Sequence, residues 1–198
     1  MSAEFGVVLV AVLAVAALIA AVLVIRTRRV VATPAERAVH ATLHTAATAA
    51  RALRKGLDAE SAAAAVPHLR ELTGAAGVAL YDTDATLLAH DGSIWTTAPA
   101  TLADAGRAAQ TAATGGRRVL TGTAPALIAQ PLLPDDSEAL GVLVVASPTR
   151  PGPGLLGAIG EVARYATGQL ELAELGASRA RLDRAEVLAL RAQISPHF

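Results

Sequence analysis

The longest apolar stretch of the chain lies near its beginning and predicts a membrane-spanning helix. Residues 5–25 carry no charged side chain, and at 1.5 Å per residue such a helix reaches across a hydrocarbon core of ~30 Å. Glu4 precedes the stretch, whereas Arg26, Arg28 and Arg29 follow it. Because basic residues stay on the cytoplasmic side of a membrane, we expect an uncleaved single-pass anchor in the cell membrane.

This orientation sets the predicted organisation of the rest of the chain. Residues 1–4 form a stub outside the cell, and residues 26–33 form a basic juxtamembrane linker on the cytoplasmic side. A secretory signal peptide is the alternative, but it requires a basic residue ahead of a shorter apolar stretch. The parts that follow the linker are therefore expected in the cytoplasm.

Capping residues predict two helices after the linker. Thr33, Pro34 and Glu36 combine a capping hydroxyl, a proline at the first helical position and a carboxylate that closes a capping box. A second helix is expected to begin after Asp58. Pro67 lies inside this second helix and should kink or split it, since proline lacks an amide hydrogen.

Short apolar runs beyond the helices predict an antiparallel sheet. The expected strands cover residues 77–81, 86–90, 117–121, 126–133 and 139–146. Thr101 and Asp104 form a second capping-box signature, which predicts a helix over residues 102–113 between the second and third strands. Pro131 cannot donate to a strand ladder, so we expect it at a sheet edge or a strand end.

A proline- and glycine-rich break at residues 148–154 precedes one long predicted helix over residues 155–192. Leu175, Leu182 and Ala189 recur every seven residues, which is the spacing of a coiled-coil seam. Charged residues in the other core register weaken the seam, so a surface helix packed on its own domain is the alternative. Both interpretations stay open up to Leu175, and beyond it we favour a homodimer.

Composition excludes several classes of function. The chain of 198 residues has 17 basic and 17 acidic side chains, and the resulting net charge of zero provides no basic field for nucleic acid. It has no cysteine, which excludes disulfide frameworks, thiolate zinc sites and cysteine nucleophiles. Aromatic residues make up only 3% of the chain, so the core must be built from small and aliphatic side chains.

Few side chains outside the C-terminal segment are candidates for a site. His40 and His44 lie one helical turn apart, but no third ligand stands at a suitable spacing, so no metal site is predicted. His90 ends a predicted strand, where a role in binding a ligand is open. Tyr81 and Trp95 could line a pocket, although core packing is the favoured interpretation.

Two stretches of the chain resemble GAF domains. Residues 128–133, followed after a polar turn by residues 140–146, resemble the closing hairpin of that family. Residues 72–82 resemble its first helix–strand junction. The resemblance implies a GAF-like sensory domain over residues 34–154 with an α/β fold, in which helices flank an antiparallel sheet. It does not name the ligand of that domain.

The C-terminal residues 188–198 resemble the start of the phosphoacceptor box of LytS-like sensor histidine kinases. That family shows the pattern Leu-x-x-Gln-Ile-x-Pro-His-Phe at the end of a long helix, and the chain carries the same pattern. The resemblance implies that His197 is the phosphorylated histidine and that Gln193, Pro196 and Phe198 form its framework. The family box continues with Leu-Phe-Asn, a second helix and an ATP-binding domain, whereas this sequence stops at Phe198.

The resemblance implies a membrane-anchored two-component sensor histidine kinase. Such a protein autophosphorylates from ATP with Mg²⁺ and passes the phosphoryl group to an aspartate of a response regulator. The chain has no glycine-rich phosphate-binding motif, so it is expected to be a fragment without an ATP site and to be inactive alone. The expected partners are a response regulator, a second copy and the membrane, without nucleic acid. The alternative is a membrane-anchored GAF-like module that binds a ligand or dimerises without phosphotransfer.

Overall fold

The computed structural model describes residues 18–19, 33–135 and 138–194, and side chains up to residue 189. The chain divides into one unit of Met1–His40 and a second of Ala41–Phe198. The elements in chain order are α1 (Pro34–Leu53), α2 (Ala59–Thr73), β1 (Gly77–Tyr81), β2 (Leu87–Asp91), α3 (Ile94–Thr97), α4 (Ala100–Gly115), β3 (Val119–Thr121), β4 (Ala126–Pro131), β5 (Val142–Ser147) and α5 (Pro153–Ile194).

The predicted membrane anchor lies outside the described residues, apart from Leu18 and Ile19, as do the stub at residues 1–4 and nearly all of the basic linker. None of the helices in the described ranges combines the length and the apolar character that a membrane crossing requires. His197, at the other end of the sequence, also lies outside the described residues. Both predictions therefore remain predictions.

A five-stranded sheet in the order β2-β1-β5-β4-β3 organises the second unit. Every neighbouring pair of strands is antiparallel, and helices cover both faces. The predicted α/β fold with an antiparallel sheet flanked by helices is confirmed. Pro131 is the last residue of β4. This position at a strand end is the one expected for a residue that has no amide hydrogen to donate to a ladder.

The two faces of the sheet build two separate cores, because side chains alternate along each strand. On one face, Val78 and Leu80 of β1 join residues of α1, α2 and α5. On the other face, Ala79 and Tyr81 of β1 pack with α4. The central strand β5 is buried along its whole length, so it contributes to both cores.

Local caps begin the first two helices as the sequence predicts. The amide of Thr33 donates to the Glu36 carboxylate at 2.6 Å, and the Glu36 amide donates to the Thr33 hydroxyl at 3.2 Å. At α2, the Ser61 amide donates to the Asp58 carboxylate at 2.8 Å, and the Asp58 amide donates to the Ser61 hydroxyl at 3.0 Å. These two groups of Ser61, with its amide first, lower the pKa of the Asp58 carboxyl.

The predicted split of α2 at Pro67 is not found. The helix runs without interruption from Ala59 to Thr73 with Pro67 inside it. Pro67 removes the hydrogen bond that would reach the carbonyl of Ala63. Both residues face solvent, so water can satisfy that carbonyl, and the helix continues.

The sequence predicts the beginning of α4 wrongly. The helix begins at Ala100 after Pro99, and no side chain caps it. Thr101, predicted as the cap, instead lies in the first turn with only 5% of its surface exposed. The short helix α3 is not predicted at all.

The long helix α5 has two parts with different surroundings. Ile159, Ala163, Ala166 and Leu170 are buried against the sheet and α2. The Tyr165 hydroxyl also donates to a main-chain carbonyl of α1 at 2.8 Å. Beyond this point, the leucines whose side chains the structure describes, Leu172, Leu175, Leu182 and Leu188, are more than half exposed. Packing on its own domain is therefore the correct interpretation up to Leu170.

Candidate functional site

The histidines in the described ranges do not converge on one another. His40 and His44 lie one turn apart on α1, and both are exposed. His68 lies on α2, and His90 is on the edge strand β2. Within the described residues, no three side chains of metal-ligating type come together.

His90 borders a polar cleft of about 490 Å³ at the end of β2. Arg70 of α2 forms an ion pair with Asp91 across this cleft. The His90 ring lies edge-on to Trp95, with ring centroids 6.3 Å apart and planes at 66°. Arg70 and Asp91 are thus already paired with each other, and their ion pair links α2 to the edge strand β2.

Trp95 anchors the short helix α3 to the sheet. Its ring is almost fully buried, and its Nε1–H donates to the carbonyl of Asp91 at 2.9 Å. The ring rests where Gly77 has no side chain, since a Cβ there would lie 2.8 Å from Nε1. Trp95 is therefore a core residue and not part of a pocket lining, in agreement with the favoured expectation.

Tyr81 is the other large side chain on this face of the sheet. Its hydroxyl donates to the main-chain carbonyl of Leu102 at 3.4 Å. Burial raises the pKa of Tyr81 to about 12, because the charged phenolate is disfavoured away from water. Tyr81 is a packing residue and stays neutral at physiological pH.

A second cleft, of about 550 Å³, lies between α4 and the turn that joins β3 to β4. It is named here the α4 cleft. Its lining residues are Ala100, Thr101, Asp104, Arg107, Ala108 and Thr111 of α4, Thr121–Pro125 of the turn, and Leu127 of β4. The volume falls within the range of ~300–1,000 Å³ that small-molecule sites occupy.

The polar group that stands out in the α4 cleft is Thr101. Only 5% of the surface of this residue is exposed, and it forms part of the cleft lining. Within the described residues, no buried side-chain nitrogen or oxygen is left without a hydrogen-bond partner, so the Thr101 hydroxyl is not an unsatisfied buried group.

Charged groups of opposite sign form the rim of the same cleft. Arg107 and Asp104, three residues apart on α4, form an exposed ion pair. The Thr111 hydroxyl donates to the main-chain carbonyl of Arg107 at 2.9 Å. The two charges cancel, so the lining as a whole is neutral.

The wall opposite α4 is a tight turn that depends on a glycine. Gly122 has a φ of +72°, a conformation that residues with a Cβ rarely adopt. A Cβ at this position would also lie 2.5 Å from the carbonyl oxygen of Pro125. Thr121 and Leu127, on the two sides of the turn, are register partners in the β3–β4 ladder, so the sheet holds this wall in place.

A third feature is the exposed face of α5 beyond the domain. Leu172, Leu175 and Leu182 are exposed by 52%, 57% and 68%. At the start of this face, Leu175 and Leu140 of the β4–β5 hairpin both line a shallow cleft of about 400 Å³. This face is the described segment that leads toward the sequence around His197.

Comparison with known proteins gives structural neighbours only. No family profile matches the chain, and no curated protein matches it. Among solved structures, the GAF domain of a protein assigned as a sensor histidine kinase from Pseudomonas syringae pv. tomato is 15% identical. The match covers 77% of this chain and 96% of that one, with a TM-score of 0.47.

Two further neighbours are also GAF domains. The domain from a phosphoenolpyruvate-protein phosphotransferase of Coxiella burnetii is 12% identical, covers 69% of this chain and 96% of that one, and has a TM-score of 0.47. The GAF-B domain of DevS from Mycobacterium smegmatis is 19% identical, covers 59% and 93%, and has a TM-score of 0.42. Likenesses at this level establish no ligand, reaction or partner for this chain.

Proposed function

We propose that the chain is the sensory and phosphoacceptor part of a membrane-anchored two-component sensor histidine kinase. In this proposal a GAF-like domain reads a cytoplasmic signal, and α5 carries the response toward His197. An ATP-binding domain, as a continuation of the chain or on a partner, supplies the phosphoryl group. A response regulator then receives it on an aspartate.

The observation that supports this proposal best is the division of α5 at Leu170. Up to that residue the helix is held by the core of the domain, and beyond it the helix continues to Ile194 with exposed leucines. A rigid helix that is fixed at one end transmits rotation or displacement of the domain to its other end. The sequence that resembles a phosphoacceptor box begins within this exposed part.

The spacing on the exposed part of α5 supports a parallel pair of helices. Leu175, Ser178, Leu182, Ala185 and Ala189 follow one another at intervals of three and four residues, and all five are exposed. This is the spacing of core positions in a coiled coil. The small residues in the set lower the stability of the seam, so the anchor and the domain must assist by holding two copies close together.

Phosphorylation from γ-labelled ATP tests the central claim. The chain alone is expected to stay unlabelled, whereas the chain joined to an ATP-binding domain should acquire an acid-labile, base-stable label. His197→Gln removes the nucleophilic nitrogen and should abolish that label. His40→Gln is the matched control, because His40 is exposed on α1, and it should leave the label unchanged.

Either of two results contradicts the proposal. Labelling of the chain alone means that an ATP site lies within it. Unchanged labelling of the His197→Gln protein means that another residue is the acceptor. A folded His197→Gln protein, checked by circular dichroism, separates loss of the acceptor from loss of structure.

Disulfide cross-linking in membranes tests the parallel pair, and the absence of native cysteine makes it clean. Cysteines at Leu175 or Leu182 should each link to the same position of a second copy. A cysteine at Arg184, which is exposed on the face of the helix opposite these leucines, is the control and should link poorly. Failure at both leucine positions contradicts a parallel dimer.

Reporter fusions test the membrane topology that the proposal needs. Fusions placed after Arg29 and after Ala192 should both report a cytoplasmic location, because the arginines follow the apolar stretch. A periplasmic signal from either fusion contradicts a single-pass anchor with its N-terminus outside.

The second candidate function is a membrane-anchored module that binds a ligand or dimerises without phosphotransfer. The α4 cleft favours it, since that site is complete within the described residues and does not depend on His197. The labelling experiment separates the two candidates. A joined protein that binds a ligand in its cytoplasmic domain and never acquires a label supports the second one.

A further inference from the structure

We infer that charged residues on the exposed part of α5 select a second copy of this chain as its partner, parallel and without a stagger. The α5 seam is the name used here for the exposed positions Leu175, Ser178, Leu182, Ala185 and Ala189. The inference rests on the dimer of the proposed function and adds what selects the partner and aligns the two helices. It is measured by helix pairing, so it can fail while phosphotransfer holds.

Four charged side chains flank the α5 seam. Glu174 and Arg181 each come directly before a leucine of the seam, which is position g of a heptad repeat. Arg179 and Glu186 each come directly after one of its smaller residues, which is position e. All four are exposed, and the ion pairs of the described residues include none of them. Their charges can therefore meet those of a second helix.

The signs of these charges match in a parallel pair without a stagger. In that arrangement position g of one helix faces position e of the next heptad on the other helix. Glu174 then faces Arg179 of the second copy, and Arg181 faces Glu186 of the second copy. Because the pair is symmetric, each of these contacts occurs twice. A single exposed ion pair contributes little, but all of these contacts are attractive, so together they favour this alignment.

The same charges disfavour the other alignments that the leucines allow. A stagger of one heptad still brings leucine against leucine, but Glu174 then faces Glu186 and Arg181 faces Arg179. An antiparallel pair joins position g to g and position e to e instead. No single antiparallel alignment joins Glu174 to Arg181 and also Arg179 to Glu186, because the midpoints of these two pairs lie at different residues. The charge pattern thus fits a second copy in one alignment.

Two double substitutions in the full chain test the inference. The basic variant, Glu174→Arg with Glu186→Arg, and the acidic variant, Arg179→Glu with Arg181→Glu, each leave charges of one sign along the seam. Arginine and glutamate have similar helix propensities, so α5 should stay helical. Sedimentation equilibrium in detergent micelles should show that each variant associates with itself at least about 10-fold more weakly than the native chain, because every flanking contact becomes repulsive.

Mixing the two variants separates charge pairing from damage to the fold. Each variant carries Leu182→Cys, one carries a size tag, and disulfides exchange in a glutathione buffer. Random pairing gives as much mixed disulfide as self-paired disulfide, whereas the inference expects at least about a 10-fold excess of the mixed one. Salt at about 1 M should reduce this excess, because it screens exposed charges.

The alignment is read from native flanks. Leu175→Cys in one copy should link poorly to Leu182→Cys in the other, because seven residues of helix separate these positions by about 10 Å along the axis. Links between equal positions should predominate. Predominant links between Leu175→Cys and Leu182→Cys would mean that the pair is staggered, and the inference would be overturned.

Arg181 and Arg184 provide a matched control, because both are exposed and Arg184 lies on the opposite face of the helix. Arg181→Glu should weaken self-association by at least about 3-fold, and the identical change Arg184→Glu should leave it unchanged. Random proportions of mixed and self-paired disulfide overturn the inference. If the native-flank cysteines link equal positions while the charge changes have no effect, the dimer of the proposed function stands and this inference falls. If neither position links, both the dimer and this inference fall.

Discussion

Leu170 and Leu172 lie two residues apart in α5, at the point where the helix leaves its domain. Leu170 is 3% exposed, whereas Leu172 is 52% exposed. A Leu→Ala change removes the same atoms from the same helix at both positions, and the change in helix propensity is equal. The difference between their free energies of unfolding therefore measures burial alone, and so the place where the domain ends.

The expected magnitudes follow from the two environments. A buried Leu→Ala change costs about 2–5 kcal/mol, depending on how well the surroundings collapse. Leu170 is the last member of the buried row, with exposed helix on one side, so we expect about 2–3 kcal/mol. Leu172→Ala should cost less than about 1 kcal/mol. For a domain of this size, 1 kcal/mol corresponds to roughly 2–4 °C in Tm.

Fluorescence of Trp95 provides the assay, because it is the sole tryptophan and lies in the core. Urea unfolding should be followed at several protein concentrations, since the stabilisation that dimerisation provides increases with protein concentration. At the lowest concentration, Leu170→Ala should be clearly less stable than Leu172→Ala. Equal losses would mean that α5 keeps packing on the domain beyond Leu170, and the argument for a free signalling segment would be refuted.

Three further predictions concern single positions. Gly77→Ala places a Cβ 2.8 Å from Trp95 and should cost about 1–3 kcal/mol in urea unfolding, whereas Gly157→Ala, with open space around it, should be neutral or stabilising. Burial raises the pKa of Tyr81 to about 12, so the stability that depends on the neutral phenol is complete below pH ~10 and is lost as the pH rises toward 12. Tyr81→Phe should remove this part of the loss in unfolding measured from pH 9 to 12. The lowered pKa of Asp58 means that its contribution is present above pH ~4 and is lost as the pH falls through the folded-state pKa. Asp58→Asn should flatten this dependence in thermal unfolding at acid pH, and an unchanged slope would contradict the assignment.

The helix starts that depend on neighbouring residues could be predicted from the sequence. Thr33 with Glu36 forms a capping box, and Asp58 begins α2, as their local spacing indicates. A cap involves residues three positions apart, so it needs no knowledge of the fold. The strand β1 was predicted with its observed bounds for a similar reason, since its apolar run lies between a glycine and a polar turn.

The same local signature fails at Thr101 because other forces act there. Pro99 favours an earlier start, since its fixed φ suits the beginning of a helix. The sheet then buries the face of α4 that carries Thr101. Whether a threonine caps or packs depends on a strand that lies about twenty positions further along the chain. For the same reason the α4 cleft could not be predicted, because its two walls meet only in the folded domain.

The sequence did not show whether α5 packs on its own domain or on a second helix, because the spacing of its apolar residues does not change along the helix. Intervals of three and four residues connect Ile159 to Leu170, and the same intervals connect Leu175 to Ala189. A helix uses this spacing to pack on its own sheet or on another helix. Only the burial of the first set and the exposure of the second separate the two roles.

The position of the α4 cleft follows from where the few aromatic rings of the chain are placed. On the α4 face of the sheet, Tyr81 and Trp95 fill the space beside β1. The floor beside β4 is built instead from Ala108 and Leu127, with Thr101 at the first turn of the helix. Small side chains let α4 lie close to the sheet but cannot fill the gap between its outer side and the β3–β4 turn. Aromatic residues make up only 3% of the chain, and none of them is among the residues that line this gap. A polar cleft therefore remains there.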